Sequence, residues 1–291
     1  VNPGILTSGY APPPMPYGLL GSPGAVPTID PYGYDADAAR YIEAVERADG
    51  QRLELAVRLA INAFVVGCKA DGIWSAIKAS CILVGARTLS GALTPLVGTA
   101  PTNNGPFVSG DYNRKTGLVG DGTSKYLDSG RLLSSDPLNS QHLCVFTTTA
   151  ATSSSVQFPV YIGGLAGNPS ASHFGRLNNN GTLFFRSRNS AAISAGAGSG
   201  SATGLIGISR GSASQFTSRL SGSGSPNSQS SESLSTRPIF VFASSDQLSG
   251  VAAATYANAR LAFYSIGESL ALATLDSRVT ALYNAIGAAI P

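Results

Sequence analysis

The sequence predicts a mainly β protein: an antiparallel two-sheet sandwich with a small helical segment before it and one helix after it. Three observations lead there. From about residue 81 to residue 268, short runs such as HLCVFTTT, FPVYIGG, PIFVFASS and ARLAFYSIG are punctuated by Gly, Asn, Ser and Pro, which is the grammar of many short strands joined by turns. Residues 35–80 and the stretch after residue 271 instead repeat apolar residues at helical spacing, which one face of a packed helix requires. The chain of 291 residues holds 34 glycines and only 12% charged residues, about half the usual charged share, as a turn-rich β protein would.

The elements follow in order. Residues 1–34 carry nearly half of the chain's 17 prolines, so this segment cannot be helical and favours extended conformations. It is too apolar for a solvated linker. Ile5, Leu6, Tyr10, Met15, Tyr17, Leu19 and Leu20 mark it as an arm that docks on a partner. Asp35 or Asp37 can cap a first helix with Ala38, Tyr41, Ile42, Val45 and Ala48 on one face, ending at Asp49-Gly50. A second helix over 51–66 aligns Leu53, Val57, Ala60, Ile61 and Phe64, and Asp71 can cap a short third carrying Ile73, Trp74 and Ile77. In the β region, Asn180-Gly181 between two apolar runs signals a hairpin. Residues 191–204 and 221–235 are poor in large apolar groups and read as exposed loops. Thr274 or Asp276 opens the last helix, with Leu275, Val279, Leu282, Tyr283 and Ile286 in register. The expected partition is an arm at 1–34, a helical segment at 35–80, the sandwich at 81–270, and a helix at 271–291 that packs back on it.

A search for chemistry excludes more than it finds. GLVGDGTSKYLD (117–128) approaches a phosphate-binding loop, but Thr123 stands where the lysine must follow the glycine, and Lys125 comes too late. A turn at Gly120-Asp-Gly122 leading into a strand explains it better. Gly207-Ile-Ser-Arg-Gly211 matches a nucleophile elbow without the helix that must follow. Only His142 and His173 could serve as bases, and neither has a close partner at metal-ligand spacing. The acids are scattered, with no paired run of the kind glycosidases use. Asp111, Asp121 and Asp128 lack a calcium loop's spacing. No catalytic residue, metal site or cofactor is expected. Cys68, Cys81 and Cys144 form no disulfide framework or zinc motif.

A net charge of +3 from 19 basic and 16 acidic residues, without a basic stripe, speaks against nucleic acid. Arg186 and Arg188, among the denser basic spots, read as isolated surface arginines. No secretory leader and no run long enough to span a membrane is visible, so membrane insertion is not expected. Tyr112, Tyr126, Tyr161, Phe174 and Tyr264 could form a sugar-stacking surface or belong to the core, with burial statistics favouring the core. Of these, Tyr112, Tyr161 and Tyr264 are the candidate glycan contacts.

Four stretches together, DADAARYIEAVERADGQ, AINAFVVGCKADGIWSAIKAS, SGDYNRKTGLVGDGTSKYLDSG and ARLAFYSIGESLALATLDSRVTALYNAI, resemble bacteriophage and prophage virion structural proteins over residues 35–291. In that family a small helical segment precedes a concanavalin A-like (laminin G-like) jelly-roll sandwich, and a C-terminal helix packs back on it. The resemblance implies a non-enzymatic virion component, with tail fibre or host attachment ranked above capsid decoration or head fibre, and a carbohydrate-binding module as the alternative. It implies other virion proteins as partners through residues 1–34, a homo-oligomer (a trimer by analogy with fibres), a host-surface glycan as a further ligand, and synthesis in the host cytoplasm before assembly into the virion. No catalytic or glycan-binding motif of the family transfers residue by residue, and a shared fold does not confer function.

Overall fold

The computed structural model describes residues 33–152, 158–164, 171–176, 181–195, 199–245 and 253–291. The arm residues Ile5, Leu6, Tyr10, Met15, Tyr17, Leu19 and Leu20, and Asn180 of the expected hairpin turn, lie outside them. Helix α1 (Ala36–Asp49) starts at the expected cap, where the Asp35 carboxylate accepts from the Asp37 N–H at 2.9 Å. It ends at Gly50, whose φ of 64° lets the chain turn off a helix without a Cβ clash. Its buried face is Ala38, Tyr41, Ile42 and Val45; Ala48, expected there, is exposed. Helix α2 (Leu55–Ala70) buries Val57, Ala60, Ile61 and Phe64. Its N-terminus carries the Glu54 carboxylate, which accepts from Arg114 at 2.8 and 3.2 Å and so complements the helix dipole.

No third helix forms of the expected kind. Trp74–Ala76 makes a single 3-10 turn, and Ile77 opens strand β1 (Ile77–Ile82). Pairing of β1 with a long neighbouring strand outweighs a weak helical spacing of three apolar residues. The remaining helices are the one-turn α3 (Leu89–Ala92) and α4 (Leu272–Ala289).

The first sheet runs β13 (Ser223–Asn227), β12 (Phe216–Leu220), β11 (Gly204–Arg210), β6 (Gln141–Thr149), β17 (Arg260–Gly267), β4 (Gly117–Val119), β3 (Tyr112–Asn113), with β1 sharing the β4 side of β17. The second runs β10 (Ile193–Ser194), β9 (Leu183–Ser187), β8 (Ser172–Arg176), β7 (Val160–Gly164), β14 (Pro238–Val241), β5 (Tyr126–Leu132), β2 (Thr102–Asn104); the short β15 (Ser244–Ser245) and β16 (Ala253–Ala254) attach beside β7. Apart from one parallel bridge between Ser245 and Gly164, the pairing among the described residues is antiparallel. The expected antiparallel two-sheet sandwich with helices before and after it is thus the fold observed.

Alternation along the strands sorts side chains into two cores. Leu143, Val145, Ile206, Ile208, Tyr264 and Ile266 of the first sheet meet Tyr161, Phe174, Phe185, Leu127 and Val241 of the second. The opposite side of the first sheet, with Cys144, Phe146, Leu205 and Phe263, packs under α1, α2 and α4. Phe263 meets Phe64 edge-to-face at 5.8 Å, and Phe146 meets Tyr283 at 4.9 Å. Strands buried on both sides read as unbroken apolar runs, which is why HLCVFTTT shows no alternation. Arg278 donates to both oxygens of Asp71 at 2.7 and 3.0 Å, joining α4 to the end of α2.

Two expected loops contain strands. Ser223–Asn227 forms edge strand β13, reached from β12 through Ser221 (φ 50°) and Gly222 (φ 77°), a hairpin turn with both central residues left-handed. Ile193–Ser194 forms β10. Backbone hydrogen bonds need no apolar side chain, so low-complexity segments can still pair at sheet edges. In the GDGTSKYLD stretch the turn reading holds. The Asp121 carboxylate accepts from the N–H groups of Thr123, Ser124 and Lys125 at 2.9–3.0 Å and from the Ser124 hydroxyl at 2.6 Å. Burial alone would raise its carboxyl, and these bonds more than reverse that, holding it well below the ordinary range.

Candidate functional site: the open face of the second sheet

Side chains of β8 and β9 that point away from the shared core meet no helical layer. Phe174, Leu183 and Phe185 face inward, which turns His173, Phe184 and Arg186 to the other side. His173 lies directly across from Arg186, and Phe184 across from Ser194 of β10. The His173 and Phe184 rings meet edge-to-face at 5.3 Å. Gly163 of β7 sits opposite His173 with φ +144°, and a Cβ there would come within 2.3 Å of the His173 Cβ. Only glycine allows this approach.

A pocket of about 250 Å³ opens over these residues, with Phe158, Val160 and Ala192 completing its apolar walls and Ser194, Ser244 and Thr255 contributing hydroxyls. Phe158 is 42% exposed at its mouth. The Ser244 and Thr255 hydroxyls bond each other at 2.6 Å. Both polar anchors are unsatisfied: His173 Nδ1 and Arg186 Nε are buried and lack a hydrogen-bond partner among the described residues. Burial, then the neighbouring Arg186 charge, pushes His173 down to about 3, so the ring is neutral under ordinary conditions. Burial also lowers the Arg186 guanidinium from its usual value. An apolar concavity with a few convergent polar groups is the usual form of a small-ligand site.

Two of the three candidate glycan contacts, Tyr161 and Tyr264, lie in the core. Tyr161 and Tyr264 are 0% and 1% exposed and belong to the inter-sheet core, as does Phe174. A ring with no free face cannot stack on a sugar. Their hydroxyls are used internally: Tyr161 accepts from Ala151 N–H at 2.9 Å, and Tyr264 accepts from Cys81 Sγ at 3.3 Å. Tyr112 is half-buried and donates to the Ala86 carbonyl at 2.8 Å. Tyr126 packs against Phe240 with the rings tilted and their centres 4.6 Å apart.

The reading of Arg186 and Arg188 as surface residues also needs correction. Arg188 is fully buried at φ 57° and donates to the Asp136 carbonyl at 3.2 Å. Arg210 is equally buried and spreads its guanidinium over the carbonyls of Ser187, Gln229 and Ser212. These two tie strand ends together; Arg186 alone of the three lines the pocket.

The remaining candidates have structural partners. Lys125 pairs with Asp111 at 2.6 Å, Lys78 with Glu268 at 2.9 Å, and Arg131 with Asp136 at 2.6 Å. Glu232 accepts from the Ser190 N–H at 2.9 Å, and Asp128 accepts from the Gly130 N–H at 2.9 Å. His142 is fully buried on β6. The Glu268 carbonyl, 2.5 Å from Nδ1, can only accept, so Nδ1 carries the hydrogen and Nε2 accepts from Ser265 at 2.8 Å. Burial pushes this ring down to about 4. Ser209 of the GISRG motif lies within paired strand β11 and donates to the Leu270 carbonyl at 2.8 Å, which no elbow nucleophile would do. Cys68 and Cys81 are buried free thiols pushed up to about 12 by burial. A larger cleft of about 510 Å³ lies between β12 and the start of α4. Its cation, Arg219, is already neutralised by Asp276 at 2.7 Å.

Fold and site together define a two-sheet β-sandwich, helix-covered on one side and carrying an unsatisfied cationic pocket on the other. No family model and no curated protein matches the sequence. Among solved structures, a mutant Trypanosoma rangeli sialidase displaying trans-sialidase activity aligns at 11% identity and a TM-score of 0.47, over 86% of this chain and 38% of its own. The receptor-binding domain of a botulinum neurotoxin of C/D mosaic serotype aligns at 8% identity and a TM-score of 0.45, over 71% of this chain and 51% of its own. This chain therefore corresponds to about half or less of either structure, and at these scores neither likeness bears on what it binds.

Proposed function

We propose that the chain is a non-enzymatic attachment component of a bacteriophage particle, a tail fibre or its equivalent, whose sandwich offers the pocket on β7–β10 to a saccharide of the host surface. The observation that carries this reading is that pocket: two aromatic rings, hydroxyls and unsatisfied polar groups gathered on a sheet face that no helix covers. Aromatic rings take the C–H face of a sugar while polar side chains meet its hydroxyls. A binding role rather than a catalytic one is supported by the acids of the sandwich among the described residues, each engaged in an ion pair or in hydrogen bonds to the chain itself. The phage setting is supported by the likeness of the four sequence stretches to virion structural proteins. In this proposal residues 1–34 fix the chain to a neighbouring virion protein, copies associate as fibres do, with a trimer as the working state, and the protein is made in the host cytoplasm.

Gold labelling of intact particles with an antibody against residues 81–270, viewed by electron microscopy, tests the setting. Label at the tail supports attachment. Label spread over the head transfers the role to capsid decoration or head fibre, and particles without label overturn the virion reading.

A further inference from the structure

We infer that the pocket on the second sheet selects a sugar residue bearing a carboxylate, which the Arg186 guanidinium binds; the inference rests on the saccharide reading above. The argument starts from charge. Elsewhere in the described residues, four semi-buried arginines have an acid beside them: Arg87 and Arg114 share Glu54, Arg131 has Asp136, and Arg219 has Asp276, while half-buried Arg260 donates to the Gly117 carbonyl at 2.7 Å. Arg188 and Arg210 are satisfied at least in part by backbone carbonyls. Among the described residues Arg186 has neither kind of partner, although the pocket walls half-bury it and its Nε is closed to solvent. A cation withdrawn from water without a counter-charge is costly. An arriving anion would supply both the missing charge and the missing acceptor.

The rest of the lining says which anion. Among the described residues Arg186 is the single cation lining the pocket, and the walls beside it are Phe158, Val160, Phe184 and Ala192. One planar guanidinium matches one planar carboxylate through two parallel bonds, whereas a doubly charged phosphate would be left undercompensated. Facing the same space are the neutral His173 ring and the hydroxyls of Ser194, Ser244 and Thr255. The neutral ring has one donor and one acceptor nitrogen, and its buried Nδ1, without a partner among the described residues, faces a ligand hydroxyl. Carboxylate, hydroxyls and an apolar ring face on one small molecule describe an acidic pyranose. A volume of about 250 Å³ admits a single such residue, at the end or side of a longer glycan.

The test uses the full chain and calorimetric titration with glucuronate, galacturonate and N-acetylneuraminate against glucose, galactose and N-acetylgalactosamine. At least one acid should bind ten-fold or more tighter than its neutral counterpart. Arg186→Gln should erase that preference, so that acid and neutral sugar bind alike, and Arg186→Lys should restore part of it. Ala192→Trp, which fills the pocket without touching charge, should abolish both; circular dichroism of each variant checks that the fold is intact. Equal binding of acid and neutral sugar, or a preference that survives Arg186→Gln, overturns the carboxylate inference and leaves the saccharide pocket standing. Failure of the wild type to bind any of the six, or binding that survives Ala192→Trp, removes the saccharide reading itself.

Discussion

The two sheets present opposite solutions for their outer faces. On the first, Cys144, Phe146, Leu205 and Phe263 form an apolar surface, and α1, α2 and α4 cover it. On the second, the same strand alternation turns out His173, Phe184 and Arg186 around a pocket. An apolar sheet face cannot be left in water, so the helices are part of the first sheet's stability. The second face mixes rings with an uncompensated cation, which no apolar cover would satisfy. One face is closed by the chain's own helices, and the other, among the described residues, carries an open pocket.

The largest effect should come from the closed face. Phe263→Ala removes a ring packed on Phe64 and should cost about 3–5 kcal/mol, read as a lower urea midpoint with little change in slope. A loss below about 1 kcal/mol would mean the helices cover the sheet only loosely. A middle-sized effect should come from pH, since each sheet buries a neutral histidine. His142 and His173 titrate at about 4 and about 3 when folded, against an unfolded value of about 6.5. Both values are depressed by burial, so the unfolded chain takes up protons first as pH falls. Stability is therefore full above about pH 6.5 and declines toward pH 4, with each histidine costing on the order of 2 kcal/mol by pH 5. Denaturant midpoints from pH 8 to 4.5 should show this, and His173→Gln should remove about half the slope. The smallest effect is the sharpest for the comparison. Arg186→Gln should shift stability by less than about 1 kcal/mol, toward greater stability, because it removes a half-buried charge with no partner. A loss of more than about 2 kcal/mol would make Arg186 a structural residue and would end the contrast between the faces.

Much of the fold was legible because its signals are local. The stripe Tyr41, Ile42 and Val45 made α1 readable, Asp35 marked its cap, and the two-sided burial of β6 left an unbroken apolar run. Ile73, Trp74 and Ile77 misled because their helical spacing is short and Ile77 is recruited by β17 instead. The Ser223–Asn227 strand was hidden because backbone bonds and short polar side chains carry its pairing, with no apolar run to mark it. The pocket was not legible at all. Alternation in LFFRS could have put Arg186 outward, but its concavity comes from β10, β15 and Phe158, which are distant in sequence from β9 or meet it only in the fold. Tyr161 and Tyr264 were ambiguous for a related reason: both sides of their strands carry buried residues, so no pattern separates a core ring from a displayed one.

The placing of β17 has a consequence for synthesis. This strand, residues 260–267, lies between β6 on one side and β1 and β4 on the other. As the nascent chain emerges, residues 77–82, 117–119 and 141–149 must therefore wait for a partner made more than a hundred residues later. Such long-range pairing delays folding and leaves strand edges open meanwhile. A message cut short of β17 would leave the first sheet in three pieces, β13–β12–β11–β6, β4–β3 and β1, with bare edges open to aggregation and proteolysis.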